Sequence, residues 1–295
     1  MLSRAPRLVL IGIPWDGSSS FLRGAAAAPG PIRQALWSPS TNSSSELGIA
    51  IDPESIDDAG DISLGSDAGE ARNAIEAALA RIVGQPAVPI GLGGDHSVTY
   101  PVLRAFRALG PVTILHVDAH GDLYDQFPLP TFAPDGASAR LRPGDTESGE
   151  GDRYSHACPF ARIMEEGLCR RLVQVGVRTM TPHLQAQADR FGVEVYGPDS
   201  CAEVPVEAFE GPLYVSLDLD GLDPAFAPGV SHPEPGGLSV RDVVRLLHRI
   251  RAPIVGGDIV EYNPTNDVRD LTARVAAKLL KELAAVAIRN GRRAD

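Results

Sequence analysis

Three short stretches concentrate the side chains able to do chemistry: Gly93-Gly94-Asp95-His96-Ser97, Asp118-Ala119-His120-Gly121-Asp122 and Asp218-Leu219-Asp220. Each follows an apolar run with β-branched residues, at 87–92, 112–117 and 213–217, the pattern of a short buried strand. In an extended chain residues i, i+2 and i+4 share a face, so Asp118, His120 and Asp122 are expected to point together, as are Asp218 and Asp220. His96 joins them from the third strand end. Carboxylate oxygen and imidazole nitrogen without thiolate suit a hard to borderline divalent ion such as Mn²⁺. Six donors exceed the needs of one open site, whereas bridging carboxylates serve two ions roughly 3.5–4 Å apart. Four clustered carboxylates repel one another unless cations neutralise them. The expectation is a centre of two divalent metal ions.

Such a centre needs strand ends held side by side. Further strand-like runs lie at 8–13, 172–177, 193–196 and 254–257, the last delivering Asp258 and Glu261 to its end. Helical patterns lie at 69–83, 100–109, 158–167, 183–191 and 268–289, with another starting at the N-cap Ser239 and its partner Asp242. Alternating strands and helices predict an α/β fold, a mainly parallel central sheet flanked by helices in three layers, with ligands at the carboxyl ends of the strands. No compositional break divides residues 1–295, which read as one domain. Two stretches lack a period: 15–48, rich in Gly, Ser and Pro around a short helix at 31–37, and 127–153, read as an insertion loop at the mouth of the site.

The 27 Lys and Arg against 38 Asp and Glu leave a net charge of −11, and no basic cluster with interleaved aromatics occurs. Nucleic acid and anionic membrane are excluded as expected partners, and no run is long enough to span a bilayer. Cys158, Cys169 and Cys201 are odd in number and lack Cys-x-x-Cys spacing, so free thiols and a cytoplasmic location are expected.

The motifs Gly-Gly-Asp-His-Ser at 93–97, His-Val-Asp-Ala-His-Gly-Asp at 116–122 and Ser-Leu-Asp-Leu-Asp-Gly-Leu-Asp-Pro-Ala-Phe-Ala-Pro-Gly at 216–229 resemble those of the ureohydrolase (arginase/agmatinase) superfamily. Segments at 19–22, 40–43, 154–157, 160–165 and 230–232 are similar to plant-type arginases in particular. The resemblance implies an arginase-like fold and a homo-oligomer, trimer or hexamer. It implies one Mn²⁺ on His96, Asp118, Asp122 and Asp218, and a second on Asp118, His120, Asp218 and Asp220. Asp122 would also orient the attacking water, Glu261 would pair with a guanidinium, and His156 would carry a proton to the leaving amine. Asp152, Ser231 and His232 fall where substrate-side residues are expected. The implied reaction is hydrolysis of L-arginine to L-ornithine and urea, with agmatine or another guanidino compound as the alternative small-molecule substrate. The match departs in about twenty added residues between Asp122 and His156, and in Gly121 where plant relatives have Pro. His116 is expected to be core, and His183 and His248 surface.

Overall fold

The computed structural model describes residues 7–128 and 151–291. In chain order the elements are β1 (Arg7–Gly12), α1 (Pro29–Leu36), β2 (Ile56–Asp61), α2 (Ala68–Val83), β3 (Ala87–Leu92), α3 (Thr99–Ala105) and β4 (Val112–Val117). A two-residue pair, β5 (Phe127–Pro128) and β6 (Gly151–Asp152), precedes α4 (Pro159–Glu165), β7 (Cys169–Val175), α5 (Pro182–Phe191) and β8 (Glu194–Tyr196). The chain then forms β9 (Leu213–Asp218), α6 (Val240–Arg249), β10 (Ile254–Val260) and α7 (Leu271–Gly291). Most of the expected insertion loop, residues 129–150, lies outside the described residues; its two ends pair antiparallel as β5 and β6.

Eight strands make one parallel sheet in the order β2-β1-β3-β10-β9-β4-β7-β8. A parallel sheet is covered on both faces, and β4 shows how the sequence meets that demand. Val112 and Ile114 pack into a core with residues of α2, α3, α4 and α5, while Leu115 and Val117 enter a second core with α1, α6 and α7. The three layers follow. In α2, Ala71, Ile75 and Leu79 repeat every fourth residue and are buried, one apolar stripe on an otherwise polar helix. Asp67 caps it by accepting from the Glu70 N–H, and Ser239 with Asp242 forms a reciprocal capping box on α6. Leu279, Leu280 and Leu283 of α7 are fully buried, and truncating one such leucine to alanine costs about 2–5 kcal/mol.

From β3 to β4 the chain skips two sheet positions that β10 and β9 later fill. The carboxyl ends of four neighbouring strands are thereby brought together, at the kind of crevice where open α/β sheets bind ligands.

Three elements differ from the sequence reading. β2, Ile-Asp-Asp-Ala-Gly-Asp, is an edge strand with one buried residue and five exposed, so it carries no apolar period. Its acids pair with Arg33 of α1, at 2.8 Å for Asp58 and 2.5 Å for Asp61. Asp258 lies inside β10, opposite Ser216 of β9, and only Glu261 follows the strand. Beyond Val117 the chain leaves the extended conformation, with Asp122 at φ 49°, so shared pleat cannot be what aims Asp118, His120 and Asp122.

The turn that carries His96 depends on glycine. A Cβ on Gly94 would stand 1.6 Å from the carbonyl oxygen of Trp15, a backbone atom that also accepts from the Asp95 N–H at 2.8 Å and cannot yield without losing that bond between the segments that follow β1 and β3. Gly94→Ala is expected to cost at least the roughly 1–3 kcal/mol typical of overpacking, read as a lower thermal midpoint. A midpoint equal to wild type would show that the turn has room.

Candidate active site

His96, at the end of β3, is the centre of the arrangement. Its ring is fully buried, and Nδ1 lies 3.2 Å from Asp118 Oδ2, 3.1 Å from Asp122 Oδ2 and 3.0 Å from Asp218 Oδ2. None of the three contacts has hydrogen-bond geometry, and this buried nitrogen has no hydrogen-bonding partner among the described residues. One lone pair and three carboxylate oxygens thus converge on a common point. A few ångströms away His120 Nδ1 stands 3.4 Å from Asp118 Oδ1 and 3.3 Å from Asp220 Oδ2. The two oxygens of Asp118 therefore face the two histidines separately, as a bridging carboxylate does.

Among the described residues no Lys or Arg pairs with Asp118, Asp122, Asp218 or Asp220; their charged neighbours are histidines. Burial and the repulsion of Asp220 and Asp118 push the Asp218 carboxyl well up. His96 and His120 are driven well above the usual imidazole range, because the surrounding carboxylates outweigh burial. The set fits divalent cations: an orphaned imidazole nitrogen, hard oxygen donors and a surplus of negative charge. His96 and Asp118 with Asp122 and Asp218 could hold one ion, and His120 with Asp118, Asp218 and Asp220 a second.

The histidines are held from behind. His96 Nε2 is 3.0 Å from Ser216 Oγ, whose hydroxyl donates to Asp258 Oδ1 at 2.6 Å. Thr99 and Tyr214 also donate to Asp258, at 2.8 and 2.7 Å. With Ser216 donating onward, His96 Nε2 is the protonated nitrogen and Nδ1 is free to bind a metal. His116, read from sequence as core, is fully buried and stacked on Phe160 at 4.0 Å. It does more than fill space: Gln174 donates to its Nδ1 at 3.1 Å, and its Nε2 stands 2.7 Å from Asp118 Oδ2.

Beside the carboxylates lies a second cluster. His156 Nδ1 is 2.9 Å from Glu261 Oε1, and its Nε2 is 2.8 Å from Ser20 Oγ. Burial alone would depress His156, but the hydrogen bond and charge of Glu261 more than reverse this and raise it to about 9. Glu261 is lowered to about 2, since pairing with His156 outweighs its own burial. His232, with its ring centroid 5.0 Å from that of His156, is held down to about 4 by burial and by the His156 charge. Asp122 and Glu261 both have left-handed backbone, φ 49° and 62°, a strain of order 1–3 kcal/mol each. Asp122 is fixed there by the bond from Phe160 N to its carbonyl (3.1 Å), Glu261 by its own N–H to the Gly94 carbonyl (2.9 Å).

The cluster opens into a cavity of about 240 Å³ whose wall includes Asp122, Asp218, Asp220, Glu234 and Glu261, and no Lys or Arg among the described residues. His120, His156 and His232 also line it, with Phe127 at one rim. Ser231 and Asp152 do not. Ser231 is buried, donates to the Leu22 carbonyl at 3.0 Å and accepts from Asn263; Asp152 caps the Tyr154 N–H at 2.8 Å. The sequence reading missed Ser20 and the hydroxyls of Tyr124, Thr179 and Thr181, which do line the cavity. Isolated hydroxyls in loops carry no periodic signal, although the Ser-Ser-Phe-Leu segment at 19–22 offered one for Ser20.

Carboxylates and imidazoles at the carboxyl ends of parallel strands, beside an acidic cavity, define a metal-dependent hydrolase of the α/β class. The chain belongs to the Arginase family, whose model it matches over residues 6–285. It is 45% identical over 295 residues to Arginase 1, mitochondrial, of Arabidopsis thaliana, covering 94% of this chain and 80% of that protein. It is 32% identical to Agmatinase, mitochondrial, of Gallus gallus, over 94% of this chain and 79% of that protein. The arginase from Medicago truncatula superposes with a TM-score of 0.83 at 42% identity, covering 96% of this chain and 88% of that one. The expectation of a cytoplasmic location is corrected by these relatives, whose names place them in mitochondria. The three cysteines are indeed buried free thiols, but thiols report a reducing compartment and do not tell cytosol from organelle. Among the described residues no helix is long and apolar enough to cross a membrane.

The His156–Glu261 pair makes a prediction about pH. A histidine raised to about 9 contributes stability fully below 6.5 and loses it as pH rises through 9; a glutamate lowered to about 2 contributes above 4.5 and loses it as pH falls through 2. Both contributions are complete only between 4.5 and 6.5. In metal-free protein the His156 ring should titrate by NMR near pH 9, and in Glu261→Gln clearly lower, because burial is then opposed only by the charges of Asp122 and Asp95. The same midpoint in both proteins would exclude the pairing.

Proposed function

We propose that this chain hydrolyses the guanidinium group of L-arginine to L-ornithine and urea, using two Mn²⁺ ions. One observation carries the reading: Glu261 lines the acidic cavity, and its Oε2 is buried and has no hydrogen-bonding partner among the described residues. Its sister oxygen Oε1 is taken by the His96 N–H and by His156. A ligand that brings its own N–H donors and positive charge completes Oε2, and a guanidinium brings both in a planar fork matched to a carboxylate.

His96, Asp118, Asp122 and Asp218 would hold one ion, and Asp118, His120, Asp218 and Asp220 the other. Bound there, divalent ions supply Lewis-acid activation of water near neutral pH. The remaining work falls to side chains. Glu261 orients the guanidinium carbon toward the carboxylate cluster, and Asp122, on the cavity wall, accepts a hydrogen bond from the incoming water. As the C–N bond breaks, the departing amine nitrogen takes a proton from His156, which Glu261 keeps protonated at neutral pH. Ser20 Oγ, 2.8 Å from His156 Nε2, fixes the ring and offers a route for its reprotonation. At the far end of the substrate Glu234 suits an ammonium, and the hydroxyls of Tyr124, Thr179 and Thr181 suit a carboxylate. The plant arginase similarity at 45%, against 32% for the agmatinase, supports arginine over agmatine.

Urea release from arginine, agmatine and 4-guanidinobutyrate by the Mn²⁺-loaded protein tests this reading. Turnover should be fastest on arginine and lost with chelator; faster turnover of agmatine would move the chain to the alternative substrate, and no urea from any would overturn the reaction. A second test concerns the support of His96. Ser216→Ala removes the acceptor for Nε2–H and should weaken metal binding about 10- to 100-fold, with the fold kept as judged by circular dichroism. Metal affinity equal to wild type would remove Ser216 from that role.

A further inference from the structure

A second cavity, of about 460 Å³, lies between α7 and the loop at 40–46, and it shares no residue with the acidic one. Its character is opposite. Arg274, Lys278 and Lys281 of α7 face hydroxyl and amide groups of Ser40, Thr41, Asn42 and Ser44.

The charges here do not balance. Glu46 is paired with Arg241 at 2.5 Å and with Lys278 at 2.9 Å, and Arg241 then Lys278 hold its carboxyl down to about 2. Glu282, fully buried, takes Lys278 at 2.6 Å and His248 at 2.7 Å. Those two carboxylates absorb the charges of Arg241 and Lys278. Arg274 and Lys281 are left over. Arg274 donates to Ser40 Oγ at 2.7 Å, and Lys281 Nζ donates to the Asn42 carbonyl; neither pairs with a carboxylate among the described residues. Lys281 is only 7% exposed, and burial, then the neighbouring Lys278 charge, pull its ammonium down against the opposing charge of Glu282. An ammonium bonded only to a carbonyl, whose neighbouring carboxylate Glu282 is already paired with Lys278 and His248, is incompletely compensated, and it stands here on a chain of net charge −11, where excess positive charge is the local exception.

We propose that this cavity is a binding site for a small dianion bearing phosphate or carboxylate groups. The two surplus charges set the charge of the ligand. Arg274 gives a planar fork and Lys281 a point charge, which between them hold two oxyanion groups or one phosphate. The loop hydroxyls satisfy the remaining oxygens, and the volume is that of a metabolite-sized site. Glu46, already neutralised by its two partners, does not oppose the anion.

Inorganic phosphate and succinate are the probes, titrated into Mn²⁺-loaded protein at constant ionic strength and followed by calorimetry and thermal shift. Saturable binding of at least one is expected, weakened tenfold or more by Arg274→Gln, an exposed position where folding is not at stake, and by Lys281→Met. Binding of phosphate alone assigns the site to phosphate esters, and binding of succinate alone to dicarboxylates. No saturable binding of either overturns the proposal, as does affinity unchanged in Arg274→Gln, which would place the anion elsewhere. Should Lys281→Met not fold, Arg274→Gln decides.

Discussion

Four carboxylates held together in the interior with no lysine or arginine paired to them among the described residues are the constraint on which the rest of the structure depends. At 4 Å, two like charges repel by about 4 kcal/mol even at an effective dielectric of 20, so several such pairs rival the whole stability of an ordinary domain. The fold tolerates this because each carboxylate sits on a strand end anchored in two cores, and because the geometry leaves a place for cations. The raised Asp218 and the raised His96 and His120 are the same fact from two sides: in the absence of metal, protons are the only cations at hand.

That constraint explains why so much buried polar structure stands behind the site. Asp258, in the middle of a central strand, receives three hydroxyls, and one of those hydroxyls sets the protonated nitrogen of His96. Gln174 does the same for His116, which holds one oxygen of Asp118. A half-satisfied network in a dry interior would be worse than none; at the site itself His96 Nδ1 and Glu261 Oε2 are left open, and behind it Gln174 Oε1 is also without a partner among the described residues. His96 Nδ1 and Glu261 Oε2 are where a metal ion and a guanidinium would complete the protein, and the strained backbone at Asp122 and Glu261 lies beside them.

The strands that carry chemistry were legible because burial on both faces writes a continuous apolar run, as at 87–92, 112–117 and 213–217. The metal-competent residues were legible because acids and histidines directly after such runs have no structural reason to be there. The edge strand at 56–61 was not, since an edge is protected by charge rather than apolar pattern. The i, i+2 argument grouped residues that do converge, but by the wrong route: Asp118, His120 and Asp122 meet their partners through a turn whose left-handed residue cancels the pleat. Ser20 and the threonines at 179 and 181 depend on how distant loops fold over the cavity, information that one window of sequence does not hold. Asp152 and Ser231 show the converse, positions suggested by sequence whose side chains bond to nearby backbone instead.

Two regions of unbalanced charge with opposite sign therefore stand on one chain. The interior one is negative, and a guanidinium and metal ions answer it; the one against α7 is positive by two. The helix connects them: Asp267, which accepts from the N–H groups of Thr272 and Ala273 at its start, also takes the hydroxyl of Tyr262, the residue next to Glu261. Arg274 lies in the first turn of that helix. Glu261 itself is held in its left-handed conformation from the other side, by the Gly94 carbonyl, so the start of α7 anchors the residue after Glu261 while the β3 turn fixes Glu261.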